Sequence, residues 1–114
     1  VRLILQALRA TREYPFIDSK ILLSVNSMMI NSLFIMGRID AKYTIQAENT
    51  LNTLLKYMLK NDNLYHTMII GNNAKIDAFL EDYAYLSLAL INGYHTNLKT
   101  EYLLYAQIHT NNAL

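Results

Sequence analysis

Glu81 and Asp82 are the residues of this chain best suited to chemistry: two consecutive carboxylates near the start of a run that is otherwise mostly apolar and aromatic. A carboxylate in such surroundings must find a partner, face a cavity, or have its pKa raised, and each of these is a route to general acid/base work. Neighbouring positions on a helix diverge by about 100°, so the pair cannot serve one reacting atom unless a group from elsewhere joins them. The structural alternative gives them ordinary duties. One would offset the positive end of the helix, for roughly 0.3–1 kcal/mol, and the other would pair with a lysine or arginine.

Asp18, Lys20, Asn26 and Tyr83 form a second group, suited to holding a polar ligand. Asp18 and Lys20 would stand where a helix opens, and Asn26 would bring an amide with four hydrogen-bonding sites into an apolar stretch. Their structural alternatives are a cap, a solvated lysine, an asparagine bonded to backbone and a tyrosine filling a core seam. His66, His95 and His109 include no pair spaced i, i+4 on one helix, so no metal motif is read and they default to surface or loop positions. Gly71-Asn72-Asn73 is a turn and not a phosphate cradle, and no cofactor motif is present.

The elements that must carry these residues are helices for nearly the whole length, because glycine and proline are scarce and apolar residues recur at three and four. Helix one is expected from Val1 to Glu13, stopping before Tyr14-Pro15. Helix two, capped by Asp18 or Ser19, continues to Met36 and is apolar around most of its circumference, which implies that it is enclosed and is not a surface helix. Asp40 caps helix three, which runs to Lys60 with Tyr43, Ala47, Leu51, Leu54, Leu55 and Met58 on one stripe. After a turn at Asn61-Asp62-Asn63, the segments Leu64–Ile70 and Ala74–Ile76 read as a β-hairpin with Tyr65, Thr67 and Ile69 on one side. Helix four, from Asp77 to Tyr94, is again apolar on most sides, and helix five, from Leu98 to Ile108, is one-sided.

Enclosed helices two and four thus alternate with half-wet helices three and five, and Tyr43 with Ala47 is echoed by Tyr102 with Ala106. A repeated helical hairpin with one buried and one half-exposed arm suits a two-layer ring of helices; a four- or five-helix bundle with a central pair suits it as well.

The 114 residues are 53% hydrophobic and 17% charged, enough apolar surface to exclude intrinsic disorder. The absence of cysteine excludes a disulfide scaffold, a thiolate zinc site and a dithiol redox centre, and is compatible with a cytoplasmic setting. A net charge of +1 without a basic run argues against nucleic acid as partner. The uncharged run between Lys20 and Arg38 is interrupted by serines and asparagines and fits a buried helix better than a membrane span. The opening residues Val1-Arg2-Leu3-Ile4 read as the middle of an element, as in an excerpt from a longer protein.

Two stretches carry a family resemblance. Asp18-Ser19-Lys20-Ile21-Leu22-Leu23-Ser24-Val25-Asn26-Ser27-Met28-Met29-Ile30 is similar to a D-K-x-L-x-x-W-N-G-L-M-I signature, and Ala78-Phe79-Leu80-Glu81-Asp82-Tyr83-Ala84-Tyr85-Leu86 resembles G-F-L-E-D-Y-A-F-L. Both stretches are similar to segments of the large thioredoxin-domain proteins that include the spermatogenesis-associated thioredoxin-like proteins and bacterial members. Val25 stands where that pattern has tryptophan and Ser27 where it has glycine, so an aromatic platform is missing at that point. The resemblance implies the family's helical second half, an (α/α) toroid like those of N-acylglucosamine 2-epimerases and six-hairpin glycosidases, and not its thioredoxin-like first half.

The expectation is therefore an all-α domain across residues 1–114, built of helical hairpins from a larger (α/α) toroid with one small β-hairpin. It would contribute Glu81 and Asp82 as acid/base groups, and Asp18, Lys20, Asn26 and Tyr83 as binding groups, to a pocket for a sugar or other polar small molecule. The alternative is a catalytically silent helical scaffold or interaction domain. The expected partners are the rest of the toroid and, for the isolated segment, other copies of itself, with no membrane partner.

Overall fold

A computed structural model describes all 114 residues. Five helices dominate it: α1 (Arg2–Ala10), α2 (Leu23–Met36), α3 (Ala41–Met58), α4 (Leu80–Asn97) and α5 (Thr100–Ala113). Four short strands, β1 (Ile21–Leu22), β2 (Leu59–Lys60), β3 (Asn63–Met68) and β4 (Lys75–Asp77), form a small antiparallel sheet centred on β3. No helix is long and apolar enough to cross a membrane.

The helices pack through stripes at the expected spacing. Leu23, Ser27, Ile30 and Phe34 of α2, Ala47, Leu51, Leu54 and Met58 of α3, and Leu86, Ala89, Leu90 and Gly93 of α4 are buried, as are Tyr102, Ala106 and His109 of α5. Four residues join α2 to α3 and two join α4 to α5, lengths that make each pair an antiparallel hairpin. The hairpins meet through α2 and α4, and the packing is tight at Gly93, where an added Cβ would lie 3.0 Å from the Phe34 ring and 3.2 Å from Tyr102. Ala47 and Ala106, the small members of the Tyr/Ala echo, are both buried.

Three expectations are corrected. α2 and α4 each have a helix on two flanks but are not enclosed: Val25, Met28, Met29 and Ile35 of α2, and Leu88 and Ile91 of α4, face solvent. The circumference of α2 is apolar, yet 114 residues supply no element to cover its outer side. Helix two also begins later than expected. Ile21 and Leu22 pair with Met68 and Thr67 as strand β1, so neither Asp18 nor Ser19 caps α2. Helix one ends at Ala10, three residues short of Glu13, and buries nothing.

The hairpin is where the turn residues put it, with β3 and β4 paired at Tyr65–Asp77 and Thr67–Lys75. The turn at Asn61-Asp62 closes a second hairpin, since Leu59–Lys60 forms β2 against the start of β3. Both turn residues have positive φ, 50° and 65°, the requirement of a type I′ turn and one that Asn and Asp tolerate. Along β3, Leu64 and Met68 turn inward towards the helices, and the period of two sends His66 the same way.

Candidate functional site

The first turn of α4 meets the start of α2 and the middle of β3 at one side chain. Asp82 is fully buried. Its Oδ1 accepts a hydrogen bond from the Ser24 main-chain N–H at 3.0 Å, and its Oδ2 accepts one from the Phe79 N–H at 2.8 Å. Oδ2 also lies 2.6 Å from Nδ1 of His66. Each bond answers a local need. α2 begins after Leu22, which has no capping side chain, so Ser24 presents one of the orphan N–H groups of a helix start. α4 begins after Phe79, equally unable to cap, and Asp82 reaches back from the third helical position as the acid of a capping box does. One carboxylate therefore sits at two positive helix ends.

The same bonds fix the imidazole. An ionised carboxylate only accepts, so Nδ1 of His66 carries the proton and the neutral ring keeps its lone pair on Nε2. The Phe79 ring, 4.3 Å from the imidazole centroid and tilted 33°, holds its plane. The His66 side chain retains 15% of its exposure. Glu81 is exposed, and its carboxylate lies within 4.8 Å of the ligand atoms of both His66 and Asp82. The three could be read as metal ligands through Nε2 of His66, but Asp82 is fully buried, each of its oxygens already accepts a main-chain N–H, and it engages His66 from behind, at Nδ1. The arrangement is that of a hydrogen-bonded group.

Glu81 and Asp82 thus come together with a third residue, His66, for which the sequence spacing alone predicts a surface or loop position. The alternation of Leu64, His66 and Met68 is the signal for it, since it puts His66 on the core side of its strand, where a lone histidine needs a partner. His109 also departs from the surface expectation. It is 1% exposed between the rings of Tyr83 and Tyr105, neither nitrogen has a hydrogen-bond partner, and burial lowers its pKa below the ordinary 6.5.

The expected binding residues do not join this cluster. Asp18 and Lys20 are exposed and engage each other, through a 3.1 Å bond from the Lys20 N–H and a 3.5 Å ion pair. Tyr83 is half-buried against the core beside His109. Asn26 donates to the Leu22 carbonyl at 2.8 Å and lines a separate groove of about 530 Å³ with residues of α3 and the end of β3.

No protein-family model matches the chain. It is 31% identical over 104 residues to an uncharacterised protein of Caenorhabditis elegans, a match covering 83% of this chain and 14% of that protein. The chain therefore spans a small part of the curated relative it matches.

Proposed function

We propose that this chain is a section of an (α/α) toroid, related to the helical half of the thioredoxin-domain proteins it resembles, and that His66 is its general acid/base group. The parent's substrate would be a carbohydrate or a similar polar small molecule. The observation that carries this reading is the 2.6 Å contact between buried Asp82 and His66, which leaves Nε2 free to take a proton. Asp82 is a positioning residue, like the carboxylate behind the histidine of hydrolytic triads. Glu81 is the exposed carboxylate that would accept from a substrate hydroxyl and so orient it. Two hairpins whose first helices meet, α2 against α4, support the toroid reading, and the uncovered faces of those helices fit a segment that continues into further hairpins.

A second reading rests on a different observation. Ser24 and Phe79 occupy two of the acceptor positions on Asp82, so the carboxylate also acts as a clamp between helix starts, as a catalytically silent scaffold would need. The two readings separate on one experiment. The longer protein is incubated with a panel of neutral and N-acetylated sugars in deuterated water, and proton exchange, epimerisation and hydrolysis are followed by NMR. Turnover that is lost in His66→Ala and reduced in Glu81→Gln supports the acid/base reading. No turnover anywhere on the panel leaves the scaffold.

A further inference from the structure

The groove that takes in Asn26 shares no lining residue with the Asp82 cluster, and its chemistry differs from it. No charged side chain lines it. Its volume of about 530 Å³ is in the range of small-molecule sites. Leu54 and Met68 form a buried apolar floor, and the Tyr57 ring stands at the rim.

The two threonines of the groove have committed their hydroxyl hydrogens, whereas its amides and its phenol keep donors free. The Thr50 hydroxyl donates to the Gln46 carbonyl and the Thr53 hydroxyl to the Asn49 carbonyl, each at 2.8 Å, one turn back along α3. Asn26 spends an amide hydrogen on Leu22. What remains on both threonines is acceptor lone pairs, on Asn26 the carbonyl oxygen and a second amide hydrogen, and on Asn49 and Tyr57 a whole amide and a phenol hydroxyl. A surface of neutral donors and acceptors over an apolar floor suits a molecule that both donates and accepts hydrogen bonds, carries no charge, and has a C–H face. An ion of either sign would find no opposite charge to offset its desolvation.

We propose that this groove binds an uncharged polyhydroxylated molecule, with its hydroxyls donating to Thr50, Thr53 and Asn26 and its apolar face against Leu54, Met68 and Tyr57. The assignment stands independently of the acid/base reading of His66. The test titrates the 114-residue chain with cellobiose and N-acetylglucosamine as neutral probes, and with glucuronate and glucosamine as charged ones, by NMR chemical-shift mapping. Saturable binding of a neutral probe is expected, with shifts on α3 and markedly weaker binding of both charged probes. The double substitution Thr50→Val, Thr53→Val removes two acceptors near the surface and should weaken binding about ten-fold, whereas His66→Ala should leave it unchanged. Tyr57→Leu, at the exposed rim, supplies a second reduction should the double variant fold poorly. Absence of saturable neutral binding, equal binding of the charged probes, or sensitivity to His66→Ala without sensitivity to the groove variants would overturn the proposal. The last of these would place the sugar at His66 instead.

Discussion

Asp82 caps a helix that it does not belong to: the Ser24 N–H that it accepts lies 58 positions earlier, at the start of α2. Replacing Asp82 by alanine removes a buried acceptor from Ser24, Phe79 and His66 together. The expected loss is about 3 kcal/mol, read from the urea midpoint at constant slope. Asp82→Asn keeps one oxygen but turns an N–H₂ towards main-chain donors, so it should recover less than half of that.

Stability should fall on the acid side for a reason located at His109. Burial lowers its pKa in the folded chain, so the unfolded chain binds the extra proton first as pH drops through 6.5. The stability it contributes is present above pH 6.5 and is lost progressively below it, down to the folded value. Thermal melts between pH 8 and pH 5 should show that loss in the parent sequence and a shallower one in His109→Phe. Tyr102 acts at the other extreme. Burial chiefly, with the charges of Glu48 and Glu101, raises its pKa above 10.0, while the Asn52 side chain opposes the shift. Its contribution holds below pH 10 and is lost as pH rises beyond it.

Leu98 ends α4 with φ 57° and ψ 23°, its N–H bonded to the Tyr94 carbonyl at 2.7 Å. A leucine in the left-handed region is strained, and this one is 70% exposed, so no packing compensates. Leu98→Gly should stabilise the chain by about 1 kcal/mol. An unchanged melting temperature would count against that conformation.

Gly93 should behave in the opposite sense. A methyl there meets Phe34 at 3.0 Å and Tyr102 at 3.2 Å, both fully buried. Overpacking costs roughly 1–3 kcal/mol and the gain in helix propensity returns about 1, so Gly93→Ala should be destabilising by about 1 kcal/mol.

The uncovered side of α2 predicts concentration-dependent association of the isolated chain in sedimentation velocity. Met29→Lys with Ile35→Lys should suppress it, because both residues are exposed and add charge to the apolar face. A monomer at all concentrations in the unsubstituted chain would show that the face is tolerated in water.

Much of this architecture is legible along the chain. Asp40 caps α3 as its side chain and position imply, accepting from the Lys42 N–H, and Gly71-Asn72-Asn73 marks the link between β3 and β4. Regular stripes place the cores of α3 and α5. What escapes is non-local. Ile21 and Leu22 continue an apolar run and read as helix until β3 is there to pair with them. An apolar circumference says that a helix has something to bury, not whether the burying partner lies within the same 114 residues. His66 and Asp82 are separated by 16 positions and two element boundaries, and only the return of β3 across the start of α4 brings them into contact.

The first helix carries a last consequence. Every residue from Val1 to Lys20 is exposed, and nine helical residues without tertiary support are marginal in water. Cooperative unfolding should accordingly begin at Ile21. A chain lacking the leading twenty residues would melt at the same temperature, and amide exchange in α1 would run at close to random-coil rates unless some other surface takes up Leu3, Ile4 and Leu8.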